Sequence, residues 1–217
     1  MLQWLLRHSC GNPDLVSGRA TPQPWGMDEK TESFDLNGRL LIAMPSMGDM
    51  RFSQSVVFIC SHSDKGAMGL IINKPAEDLK FKDLLKQLEI ESAPGARTIR
   101  VHMGGPVEFG RGFVLHSADY SEEGSTLRVD EGFAMTATLD ILEDIATGSG
   151  PEMALLAMGY AGWGPGQLEA EIAENGWLIG DATQGLVFGG DDARKWQSAL
   201  EEMGINPLLL SAEGGRA

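Results

Sequence analysis

Residues 153–158 (MALLAM) form an unbroken apolar run followed at once by Gly159-Tyr160-Ala161-Gly162-Trp163 and Gly164-Pro165-Gly166-Gln167, and this stretch constrains the chain more than any other. Six apolar residues are too few to cross a bilayer. Bounded by glycine, they fit a strand buried on both faces, so the core has to close around them. The glycine loop then opens a helix with Pro165 at its first position, where a missing N–H costs nothing. Leu168 and Ile172 make its apolar stripe and Gly176 ends it. A strand feeding a glycine loop at a helix N-terminus is also a geometry that binds anions.

Spacing and charge both oppose a nucleotide there. Gly162-x-Gly164 is followed by Gln167 where a dinucleotide loop needs its third glycine, and no phosphate-loop pattern occurs anywhere in the chain. Residues 129–193 carry twelve Asp or Glu and no Lys or Arg, so a bound phosphate would meet repulsion. The glycines are better explained as letting strand, loop and helix pack closely. The whole chain has a net charge of -14, which disfavours nucleic acid and anionic membrane surfaces as direct partners.

At 217 residues one domain is expected. Residues 9–33 are rich in Pro, Gly, Ser, Thr and charge without periodicity, so 1–35 read as a flexible arm, with Met27 as an alternative start; residues 212–217 read as a tail. Cys10 and Cys60 supply no disulfide framework, which fits a reducing, cytoplasmic setting. No segment suits a secretory signal or a membrane span.

Between the ends, residues 38–44 read as a strand stopped by Pro45, and 56–61 with 68–73 as a hairpin. Asp78 is placed to cap a helix with Phe81, Leu84, Leu85 and Leu88 on one face. Residues 98–103 read as a strand, with 112–116 as its antiparallel neighbour. Residues 127–129 and 133–136 follow as short strands, then a helix over 139–147 capped by Thr138, a strand over 185–188, and a final helix from Asp191-Asp192 to Gly204. Strands and helices do not alternate strictly. The fold class expected is therefore α+β: one domain, with a mixed, largely antiparallel sheet and helices packed outside it.

The candidates for carrying chemistry are few. His62, His102 and His116 stand at strand ends, but no short spacing joins them as metal ligands, and no metal or other cofactor is expected. Cys60 and His62 would share a strand face as a nucleophile pair, against the simpler reading of Cys60 as a small buried hydrophobe. No serine lies in a G-x-S-x-G elbow. Glu169, Glu171 and Glu174 are ordinary for a solvated helix face, and Asn73 suits a turn. If the loops at 104–107 and 160–167 are adjacent, Gly104, Gly105, Tyr160, Trp163, Gln167, His116, Glu169 and Asn73 would make a pocket with apolar walls and a few polar contacts.

Several ordered blocks resemble a known family. Leu36-x-Gly38-x-Leu40-Leu41-Ile42-Ala43-Met44-Pro45, Gly69-Leu70-Ile71-Ile72-Asn73-Lys74-Pro75, Gly104-Gly105-Pro106-Val107, Gly112-Phe113-Val114-Leu115-His116 and Gly159-Tyr160-Ala161-Gly162-Trp163-x-x-Gly166-Gln167-Leu168-Glu169 are similar to blocks of the bacterial AlgH/YqgE family, from about residue 36 to 211. The resemblance implies a single α+β domain with a bifurcated, barrel-like sheet and a cytosolic location. It implies no settled activity and supplies no catalytic or ligand residues. Members are often labelled transcriptional regulators, yet this acidic chain offers no recognition helix. The function expected is a binding or regulatory module acting through a protein or small-molecule partner. An enzyme built on a His, Glu and Asn pocket is the alternative, and a transcriptional regulator the second. Trp163→Ala and Glu169→Gln are expected to impair such a role more than folding; the competing account makes Trp163 a core anchor.

Overall fold

The computed structural model describes residues 35–210; the expected tail and all but the last residue of the expected arm, including Cys10 and Met27, lie outside the described residues. The organising strand is β8 (Ala154–Trp163). Its first half pairs on one side with β5 (Val107–Ser117), antiparallel, and on the other with β4 (Arg100–Met103), parallel. Its second half leaves β4 and pairs with β3 (Gly66–Ile71). That change of partner bifurcates the sheet. The bend falls at Gly159, whose φ of +72° suits glycine and where a Cβ would stand 2.7 Å from the Val107 carbonyl oxygen. Residues 159–163, read from sequence as a loop, therefore continue the strand. The helix after them starts later than expected, at α3 (Gln167–Ala173), with Gly166 and not Pro165 next to its first turn.

The remaining strands are β1 (Arg39–Ala43), β2 (Val56–Ser63), β6 (Thr126–Arg128), β7 (Phe133–Thr136) and β9 (Trp177–Asp181), and the sheet runs β6-β7-β5-β8-β3-β2-β1-β9. β2 and β7 stand four places apart in that order. Yet the Phe58 and Phe133 rings lie 4.9 Å apart, which they can do only because the sheet curls into a half-barrel. The interior holds Leu40, Phe58, Leu70, Phe113 and Leu115, and α4 (Gln184–Phe188) and α5 (Lys195–Glu202) close it with Val187 and Leu200. Burying each such side chain stabilises the fold by about 1.5–3 kcal/mol. On the outer surface, α1 (Phe81–Gln87) and α2 (Asp140–Thr147) cover β4, β5 and β8 through Phe81, Leu85, Ile141 and Ile145. The α3 helix covers the β1–β3 end through Leu168 and Ile172, against Trp163 and Trp177.

The α+β class and the mixed, mainly antiparallel sheet are as the sequence predicts, and further local expectations differ or leave a gap. Residues 185–188 are helical, because Thr183 accepts the Leu186 N–H on its side chain and the Val187 N–H on its carbonyl and so starts a turn. β4 does not pair with residues 112–116; β8 lies between them. Residues 177–181 form an edge strand on β1. Asp78 and Thr138 do not cap; Lys80 and Leu139 stand at those helix starts without side-chain caps.

Candidate functional site

Residues 45–54 leave β1 as a long loop whose shape comes from side chains. Asp49 accepts the Arg51 N–H at 3.0 Å and starts a short 3-10 turn over Met50–Phe52. Asn73 accepts the Val56 N–H at 2.8 Å and donates to the Gln54 carbonyl at 2.8 Å, while Lys74 Nζ donates to the Arg51 carbonyl at 2.7 Å. The end of the β2–β3 hairpin thus pins the loop over α3 and the C-terminal end of β8. Between them lies a cleft of about 390 Å³ whose walls include Phe52, Pro106, Gly162, Trp163, Gln167 and Glu171.

The cleft is built on three aromatic rings. Phe52 stacks toward Trp163 at 6.4 Å and meets Trp177 edge-on at 5.5 Å, and the two indoles are 5.9 Å apart. Glu171 locks them. Its Oε2 accepts both indole N–H groups, from Trp163 at 2.9 Å and Trp177 at 2.8 Å, and its Oε1 accepts from Gln167 Nε2 at 2.9 Å. Gln167 in turn accepts the Gly164 N–H at 3.0 Å. At the rim the Arg51 guanidinium makes several bonds to Asp49 and holds that carboxyl below the usual carboxylate range.

The sequence-predicted residues divide. Trp163 and Gln167 line the cleft. Gly104 and Gly105 do lie against the 159–162 segment, but as a crossing of backbones: a Cβ on Gly105 would come within 2.1 Å of the Tyr160 carbonyl carbon. They fill space; they do not open it, and of that loop Pro106 reaches the cleft. Tyr160 packs edge-on against Phe113 at 5.7 Å, toward the half-barrel interior. Asn73 supports the loop from behind. Glu169 bonds His62 Nε2 at 2.9 Å and is held below the usual carboxylate range by its own backbone amide and then by that histidine. His116 is buried elsewhere, bonded to Ser117 and Thr136, and Asn73 bonds Val56 and Gln54, so His116, Glu169 and Asn73 do not meet in one pocket.

Each of the three described histidines has its own local setting. Cys60 faces the half-barrel interior, but β2 shifts register between Ile59 and Ser61, and His62 pairs with Ala67 on the opposite face. The nucleophile pair is therefore not formed, and burial pushes the Cys60 thiol up to about 12. His116 Nδ1 donates to the Ser117 carbonyl at 2.8 Å, which leaves Nε2 to accept from Thr136 Oγ1 at 3.0 Å; Thr136 then accepts from Thr126 at 2.8 Å. His102 is fully buried. Its Nε2 lies 3.2 Å from Asp192 Oδ1, poorly aligned for a hydrogen bond, and its Nδ1 has no polar partner. Asp192 also binds Arg100 and Lys195, a cluster that sequence reading missed. Its signal was present: Lys195 stands four residues before Ala199, a lysine on the apolar stripe of α5. Among the described residues no three His, Cys, Asp or Glu side chains converge as a metal site, and no helix is long and apolar enough to cross a membrane.

Burial holds the imidazoles of His102 and His116 neutral, each below its ordinary value of 6.5. The unfolded chain therefore takes up protons first. Stability should be complete above about pH 6.5 and fall as pH drops below it, by at most about 1.4 kcal/mol per pH unit for each histidine. Urea unfolding at pH 7.5 and pH 5.5 checks this, and His116→Gln should reduce the difference; equal stability at both pH values would contradict it.

Comparison with known proteins identifies the relatives. A sequence model described as AlgH-like matches residues 40–208. A UPF0301 protein of Cereibacter sphaeroides is 60% identical over 183 residues, covering 84% of this chain and 100% of the relative. A UPF0301 protein of Ruegeria pomeroyi is 60% identical over 184 residues, with the same coverage of both chains. Among solved structures, the AlgH protein from Pseudomonas aeruginosa superposes with a TM-score of 0.69 at 42% identity, covering 85% of this chain and 97% of that one. A protein from Corynebacterium diphtheriae shares the fold with a TM-score of 0.66 at 21% identity, covering 82% and 92%.

Proposed function

Given that this chain belongs to the AlgH-like family, we propose that it is a binding or regulatory module that holds a peptide segment or small molecule in the cleft beside Trp163, and that it acts through that partner and not by direct contact with DNA. The observation that carries this reading is the locked floor of the cleft. Trp163 and Trp177 share one carboxylate oxygen of Glu171, so the aromatic surface is fixed before anything binds. A ligand then loses its own freedom without having to order the site. The wall opposite is a loop held by a few side-chain bonds, which can adjust its width. The acidity of residues 129–193 supports a partner other than nucleic acid.

The test is a fragment and short-peptide screen read by the indole N–H resonances of Trp163 and Trp177. Binders are expected to shift these two and the amides of residues 45–54, and Phe52→Ala, which removes a partly exposed ring, should weaken them about tenfold. Binders that map to another face of the protein would overturn the proposal.

A further inference from the structure

We infer that the group taken by this cleft is an organic cation, an ammonium or guanidinium carried next to an apolar stem; the inference rests on reading the cleft as the binding site. Four charged side chains line it: Asp49, Arg51, Glu171 and Glu174. Asp49 and Arg51 neutralise each other through their mutual hydrogen bonds. Glu171 is different, because all three of its donors are neutral N–H groups, two indoles and an amide. They hold the carboxylate in place and bring no opposite charge. Among the described residues no Lys, Arg or His forms an ion pair with Glu171 or Glu174.

The cleft therefore presents an uncompensated carboxylate, held in position, beside the rings of Phe52 and Trp163, with a second carboxylate at its edge. Aromatic rings attract cations through their quadrupole, and more strongly where water is excluded. A guanidinium or alkylammonium satisfies both features at once, its charge on the carboxylates and its stem on the rings. An anion meets two negative charges, and a neutral aromatic group leaves the carboxylates unanswered. Gln167 is held in place beside them, its amide oxygen accepting from Gly164 and one amide N–H given to Glu171.

Such a cation has two sources, a free amine metabolite or an Arg or Lys side chain of a protein. Titrating arginine amide, spermidine and an arginine-containing tripeptide amide, with citrulline amide as the neutral isostere, separates them. The expected result is saturable shifts of the Trp163 and Trp177 indole resonances with the cations, binding of citrulline amide at least about tenfold weaker, and loss of affinity at high salt. Binding of the tripeptide tighter than that of arginine amide and spermidine identifies a protein source; equal or tighter binding of the small amines identifies a metabolite. Glu171→Gln should weaken arginine amide by about tenfold or more. Because that residue also anchors two indoles, Glu174→Gln, at an exposed position without a bonding role, serves as the second variant and should weaken it several-fold. Citrulline amide binding as well as arginine amide, or no indole shift with any of the cations at millimolar concentration, overturns the inference. Neutral screening hits that still map to the cleft would then leave the cleft reading standing, whereas hits mapping elsewhere remove both.

Discussion

Asp192→Ala is expected to lower the unfolding free energy by about 3–5 kcal/mol, because it strands two cations at the closed end of the half-barrel. Lys195 is 2% exposed; its ammonium donates to Ile72 O at 3.0 Å and Val187 O at 2.9 Å and forms an ion pair with Asp192 Oδ1 at 3.1 Å. Arg100 bonds the same carboxylate and gives a second N–H to Phe188 O at 2.8 Å. These cations satisfy the carbonyls that end α4 and tie α5 to the ends of β3 and β4. Asp192 is the one carboxylate they share. Burial works against its charge, yet contact with His102 and the charge of Lys195 hold its carboxyl far below the usual range. Alanine removes the counter-charge and leaves the cations with carbonyls alone. Urea unfolding at neutral pH measures the loss, and a change under about 1 kcal/mol would mean that water already solvates the cluster. The double variant Asp192→Leu with Lys195→Met should recover part of the stability, since a buried pair can be replaced by apolar packing at little net cost.

What the sequence revealed and what it hid follow the range of the forces involved. Runs such as residues 38–44 and 56–61 are apolar and β-rich, and they became β1 and β2 because burial on both faces needs only local composition. The first half of β8 was legible for the same reason. Its second half was not, because Gly159 looks like a terminator and functions as a bend at which the strand changes partners. Residues 185–188 are four apolar or small residues, too few for periodicity to separate helix from strand, and a threonine cap decided the matter. The cleft was half legible. Trp163 and Gln167 stand in the motif that pointed to it, whereas Glu171 is one of three similar glutamates until tertiary structure brings two indoles to it. Phe52 reaches the site from a loop more than a hundred residues away in the chain, a placement that no local pattern encodes.

Trp163→Ala should also cost about 3–5 kcal/mol, which makes folding and not binding its first effect. The indole is 7% exposed, packs between Phe52 and Trp177, and donates to a partly buried carboxylate. Truncation opens a cavity in the cluster that joins α3 to the sheet and leaves Glu171 with one fewer donor. The burial accordingly favours the core-anchor account over the expectation that this variant spares folding. Trp163→Phe separates the two contributions: it keeps most of the packing and loses the hydrogen bond, and should cost about 1–3 kcal/mol. Because Trp163 and Trp177 share Glu171 Oε2, their single-variant losses should fail to add by about 0.5–3 kcal/mol in a double-mutant cycle. Urea unfolding of the four proteins gives that coupling. Strict additivity would show that the two indoles stabilise the fold independently, and that the shared carboxylate does not lock the floor of the cleft.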